Sequence, residues 1–143
     1  MTDKIIQLLR LHEGIRSHAY KCTAGKWTIG VGRNIDEGGL GLSDDEIDYL
    51  LTNDVTRVVV ELGKSFPWFS GLDEVRRDAM IDICFNLGMP RLKGFAKALA
   101  AMEDDDYELA AYEFSDSAWY KQVGKRAQTI VSMIRSGKYP DLP

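Results

Sequence analysis

Ile5, Leu8 and Leu9, with His12 on the same side, recur at the spacing of one helix face, which predicts a first helix over about residues 3–12. Thr2 or Asp3 can cap its start, and Gly14 ends it. The period then changes. His18–Lys21 and Lys26–Val31 read as two short strands around the turn Thr23-Ala24-Gly25, the second carrying the β-favouring Trp27, Thr28, Ile29 and Val31. Glycines at 30, 32, 38, 39 and 41 predict a loop with room for one more brief strand. Ser43-Asp44-Asp45-Glu46 is a capping box opening a long helix on Ile47, Leu50, Leu51, Val55, Val58, Val59 and Leu62. Everything downstream reads as helical. A corner at Phe66-Pro67-Trp68 precedes a helix from Asp73 to Gly88, and turns of helix follow at Phe95–Met102, Tyr107–Phe114 and Lys125–Arg135, the last closed by Gly137.

These elements predict an α+β fold in one domain over residues 1–143. A small antiparallel sheet lobe spans about 13–42 and a connecting helix about 44–63. A helical lobe takes 64–143 together with the N-terminal helix, and a cleft is expected between the lobes. The Asp73–Gly88 helix is the most apolar and belongs at the centre of the bundle. Its polar residues Asp78, Asp82 and Asn86 fall four apart on one stripe, which must turn to solvent or to a groove; as groove residues, Asp82 and Asn86 would face the hairpin.

Composition narrows the class. Apolar residues at 45% and charged residues at 28% suit a globular chain rather than a disordered one. No apolar run approaches the roughly 18–20 residues of a membrane span. The charged N-terminus lacks the pattern of a signal peptide, so the cytoplasm is the default site of folding. Cys22 and Cys84 read as free thiols. A net charge of −4 argues against nucleic acid as a partner. The charge is uneven: Asp36 to Asp48 holds six acids and no base, Glu103 to Glu108 holds five acids, and Ser117 to Pro140 holds five bases and no acid. That basic stretch is either solvated helix surface or a contact for a polyanion. No metal-ligand cluster, phosphate-binding glycine loop or dinucleotide fingerprint occurs in the sequence, so no metal or cofactor is expected. A monomer is the default.

The chemistry concentrates where the first helix gives way to the hairpin. Eight residues separate Glu13 from Cys22 and five separate Cys22 from Thr28. An acid with a second polar group and a water between them is what cleavage of a sugar–sugar bond requires. Glu13, beside Leu11 and Ile15, is expected to be partly desolvated, which would raise its pKa toward that of a working general acid, with Arg126 as a charged partner. Thr28 offers a hydroxyl to hold the attacking water, or owes its place to strand propensity alone. Trp27 is read as sheet packing in preference to a stacking surface for a sugar. Cys22 stands where a second carboxylate would be expected. At an ordinary pKa of about 8.5 only a few per cent of a thiol is ionised at neutral pH. Cys22 is a base or a nucleophile if Lys21 or the site lowers that value, and otherwise an orienter of water.

The stretches Leu9-Arg10-Leu11-His12-Glu13-Gly14, Trp27-Thr28-Ile29-Gly30-Val31-Gly32, Leu72-Asp73-Glu74-Val75-Arg76-Arg77 and Ala118-Trp119-Tyr120 resemble the bacteriophage lysozymes of the T-even type, endolysins of glycoside hydrolase family 24. The similarity runs from about residue 5 to 138 and is weakest in the glycine-rich loop from Asn34 to Gly41. The resemblance implies a muramidase that cleaves the β-1,4 bond between N-acetylmuramic acid and N-acetylglucosamine in peptidoglycan, with inversion in the T-even enzyme. Glu13 would be the general acid, Thr28 the water-positioning residue, Cys22 the occupant of the usual aspartate position, and Arg126 the arginine that pairs with the acid. Gly32 would support the site, Phe85 and Asn86 would line the groove beside the Asp82 of the polar stripe, and Trp119 would be a core tryptophan. An arginine, Arg33, stands where the T-even enzyme has a histidine, and the chain is acidic where that enzyme is basic. An acidic enzyme gains little long-range attraction to a carboxylate-bearing wall, so salt should affect it less. The implied setting is the host cytoplasm until a separate holin releases the enzyme to the wall, with lysis as the outcome. A binding relative that has lost catalysis, and a virion-associated or bacterial autolytic muramidase, remain as alternatives.

Overall fold

A computed structural model describes residues 3–142, which places the cap candidate Thr2 outside the described residues. The elements run α1 (Asp3–Glu13), β1 (Arg16–Lys21), β2 (Trp27–Gly30), β3 (Arg33–Asn34) and α2 (Asp44–Ser65). A 3-10 turn at Phe69–Gly71 follows, then α3 (Glu74–Leu87), α4 (Met89–Lys93), α5 (Ala96–Glu103), α6 (Tyr107–Ser115), α7 (Ala118–Val123) and α8 (Lys125–Ser136). The protein is thus mostly helical with one small antiparallel sheet, an α+β lysozyme-like fold. Two compact units divide at Leu50/Leu51, within α2.

The first unit carries the sheet, ordered β1-β2-β3. Tyr20 pairs with Thr28 and Lys21 with Trp27, and the register slips between Arg16 and Tyr20. Thr28 and Ile29 then pair with Asn34 and Arg33. The hairpin turn follows its sequence closely. Gly25 N–H donates to the Cys22 carbonyl at 2.8 Å, and Gly25 takes φ +76°, the left-handed conformation that follows a tight turn in a three-residue hairpin loop. The loop after β3 is ordered by side chains: Asn34 Oδ1 accepts from the Asp36 amide, and Asp36 accepts in turn from the Trp27 and Glu37 amides. The capping box forms as expected, with Glu46 accepting from the Ser43 amide at 2.8 Å.

The second unit holds the apolar core. Leu62, Met80, Ile83, Leu92, Met102, Phe114, Ile130 and Ile134 are fully buried. Phe95, Phe114 and Trp119 meet in tilted and edge-on pairs with centroids 5.4–6.4 Å apart. The centre of this packing is α8, which lies against α3, α6 and α7. The sequence favoured α3 for that place, but α3 is buried along one side only, through Ala79, Met80, Ile83 and Cys84. The strongly amphipathic α8 instead inserts Ala127, Ile130, Val131, Met133 and Ile134. The short helices α4 and α7 lack a full periodic turn pair in the sequence. Each follows directly on a hydrogen-bonded helix end or a serine cap, Gly88 before α4 and Ser117 before α7.

Candidate active site

Glu13 is the last residue of α1, and Gly14 at φ +78° turns the chain away toward β1, its amide returning to the Arg10 carbonyl. The Glu13 side chain lies along Gly32. A Cβ added at Gly32 would fall 2.7 Å from Glu13 Oε2 and 3.0 Å from its Cδ. Gly32 also sits at φ +68°, so glycine answers both to the backbone conformation and to the close approach of the acid. The shielding expected from Leu11 and Ile15 is absent. Both are exposed, at 78% and 67%, and Glu13 is exposed with them, because Leu11 falls off the apolar face and Ile15 lies past the reversal at Gly14.

Cys22 and Thr28 are brought together by the hairpin. The Lys26 carbonyl accepts from the Cys22 amide at 3.0 Å and from the Thr28 hydroxyl at 2.9 Å. Thr28 is the buried polar residue of the described chain, with 4% of its surface exposed. The Cys22 thiol is free and its pKa is lowered, chiefly by hydrogen bonds from the backbone of Lys26 and then of Ala24. Thr28 contributes less, and its one hydroxyl proton is already given to the Lys26 carbonyl. The turn, rather than Lys21, therefore favours the thiolate. The Lys21 ammonium lies 5.2 Å over the ring of Trp27 instead. Trp27 is 46% exposed, so it is not the packing residue the sequence suggested.

In the second unit the polar stripe of α3 is cross-linked. Asp78 accepts from the Tyr139 hydroxyl, whose pKa is pushed up to about 12 by that contact. Asp82 accepts from Arg126 Nε at 2.8 Å and Nη2 at 2.6 Å. Asn86 Oδ1 accepts from the indole N–H of the buried Trp119 at 3.0 Å. Asp78, Asp82, Phe85 and Arg126, with Leu51, Val55 and Ile81, line a groove of about 350 Å³. Asp82 and Phe85 thus share a groove with Arg126, whereas Asn86 is turned to the tryptophan. The basic stretch is partly neutralised, since Arg126 pairs with Asp82 and Arg135 with Glu108.

Arg33, in sequence only a departure from the T-even pattern, has a partner that the sequence did not reveal. Its guanidinium grips both carboxylate oxygens of Glu46, each at 2.8 Å, and the Gly41 carbonyl at 2.9 Å. Arg33 and Ser43 together hold the Glu46 carboxyl down at about 2. The available signal was an arginine just after the glycines of a turn with a capping-box glutamate downstream, but no sequence period links the two.

The first unit thus holds an acid beside a glycine turn and one hairpin carbonyl that accepts from the Cys22 amide and the Thr28 hydroxyl. Residues 10–136 match the phage lysozyme family, and the chain belongs to that family, whose activity is that of a lysozyme on peptidoglycan. It is similar to probable T4-type lysozyme 2 of Dictyostelium discoideum, at 26% identity over 96% of each chain. It is likewise similar to an endolysin of Acyrthosiphon pisum secondary endosymbiont phage 1, at 29% identity over 88% of this chain and 85% of the relative. The pre-baseplate central spike protein Gp5 of Enterobacteria phage T4 matches at 26% identity over 92% of this chain, which spans 27% of that longer protein.

Proposed function

We propose that this lysozyme is an endolysin, a muramidase that hydrolyses the β-1,4 bond between N-acetylmuramic acid and N-acetylglucosamine in the wall of a bacterial host. It would act as a monomer after a separate holin admits it to the wall. The observation that carries the reading is the fit of Glu13 along Gly32, which directs a carboxyl from the end of α1 into the open. A general acid must reach the glycosidic oxygen, and an exposed side chain held on one side can do so.

Glu13 gives its proton to the leaving oxygen as the bond to the anomeric carbon breaks. Water attacks that carbon from the opposite side and yields a proton. Thr28 is suited to hold this water: its own proton is committed to the Lys26 carbonyl, so the lone pairs of its oxygen are left to accept from the water. Cys22, its thiolate favoured by the turn, is suited to accept the proton the water gives up, the part a carboxylate would otherwise take. Asp82, the exposed Phe85 and Arg126 would contact saccharide in the groove they line.

The test is clearing of outer-membrane-permeabilised bacteria by wild type, Glu13→Gln, Cys22→Ser and Cys22→Asp, with the product anomer assigned by NMR. The expected results are clearing slowed at least about a hundredfold in Glu13→Gln, strong loss in Cys22→Ser, recovery in Cys22→Asp, and inverted product. A retained product would make Cys22 a nucleophile instead.

A further inference from the structure

β2 ends on Gly30 at φ +69°, the turn to β3 carries Gly32 at φ +68°, and β3 is two residues long. So short a ladder with so flexible a turn fixes the backbone weakly by itself. Yet Gly32 forms the wall along Glu13: a Cβ there would meet Oε2, Cδ and Cγ of that residue at 2.7, 3.0 and 3.2 Å. The next residue is Arg33. Its two-pronged pairing with Glu46 and its bond to the Gly41 carbonyl tie the turn to the first residues of α2, a helix 22 residues long. Glu46 is held in turn by the Ser43 amide at 2.8 Å, with the single Ser43 hydroxyl proton shared between Glu46 and Asp45. A fork-to-fork pair of this kind fixes direction as well as distance, which a lysine in the same place could not do.

We propose that Arg33 is a positioning residue for Glu13, acting through Gly32 by locking the β2–β3 turn to the start of α2. Arg33 touches no reacting atom. It sets the wall against which the acid rests, and the inference rests on Glu13 being the general acid. Among the described residues Glu46 is the charged group that Arg33 faces, and Asp45 enters only by accepting from the Ser43 hydroxyl.

The test compares Arg33→Ala, Arg33→Lys and Arg33→His with wild type on soluble peptidoglycan fragments. Arg33→Ala should lose kcat on the order of tenfold with KM within about twofold, the pattern of a misdirected acid rather than lost binding. Arg33→Lys should fall between the two. Arg33→His should approach wild type at pH 5.5 and move toward Arg33→Ala as pH rises past the imidazole pKa, which the facing Glu46 carboxylate raises above its ordinary value of about 6.5. In parallel, the three-bond couplings of the Glu13 β protons should report one rotamer in wild type and averaging in Arg33→Ala. A lowered melting temperature with unchanged kcat and unchanged couplings would overturn the proposal and leave Arg33 a purely structural residue. If wild type does not cleave the fragments and Glu13→Gln is no different, the functional reading fails. The Glu13 couplings then still decide whether Arg33 positions that side chain.

Discussion

The unit up to Leu50 and the unit from Leu51 are held by different forces. Every buried apolar side chain among the described residues, from Leu62 to Ile134, belongs to the second, while the buried residue of the first is a threonine. The second unit is therefore organised by burial of apolar surface, which no pH or salt within the working range alters greatly. The first is organised by directed polar contacts: the Arg33–Glu46 pair, the Asn34 and Asp36 loop bonds, and the Lys26 carbonyl that gathers Cys22 and Thr28. The residues proposed for the chemistry lie in the polar unit. The difference teaches that activity and stability should be separable by mutation, with different sensitivities to the medium.

The sharpest separation is Glu13→Gln. It should cost about 10²–10⁴-fold in clearing rate, the range of a general acid, with a stability change of no more than about 0.5 kcal/mol because the side chain is exposed. Phe114→Ala is the converse: removing a fully buried ring that contacts Phe95 and Trp119 should destabilise the second unit by about 3–5 kcal/mol in a urea titration. What remains folded should turn over at the wild-type rate. Gly32→Ala joins the two effects, since left-handed backbone costs about 1–2 kcal/mol for an L-residue and the new methyl displaces Glu13. Its clearing rate should fall more than its stability explains, as paired activity and melting measurements would reveal.

Acid offers a gentler probe. Glu46 is held at about 2, below the ordinary 4.5 of a glutamate, so its share of stability is complete above about pH 4.5 and is lost as pH falls toward 2. Amide protection in β3 should decline through that window, and Glu46→Gln should abolish the pH-dependent part of the decline. The smallest effect belongs to the exposed Arg126–Asp82 pair. Asp82→Asn should change stability by about 0–1 kcal/mol in denaturant titration, as surface pairs do.

How much of this was legible in the sequence follows the same division. Helices with a full apolar period, α3 and α8 among them, were readable to within a residue or two, as was the αL glycine at 137. So was the Ser43–Glu46 box, because both partners sit within one turn. The hairpin around Thr23-Ala24-Gly25 announced itself by turn chemistry. What stayed hidden were contacts between residues remote in sequence that share no period: Arg33 with Glu46, Asp82 with Arg126, Asn86 with Trp119. The exposure of Glu13 was misjudged because apolar neighbours in sequence do not shield a side chain when the chain reverses between them. The lowered thiol pKa was foreseen as an option with Lys21 or the site itself as its cause, and of the two it is the site, through the turn's own backbone.

The measurement that bears most directly on the account is the clearing rate of Glu13→Gln set against its thermal unfolding. The account predicts a melting curve that overlays wild type and a clearing rate reduced by at least about a hundredfold. Clearing at the wild-type rate by a folded Glu13→Gln would contradict it.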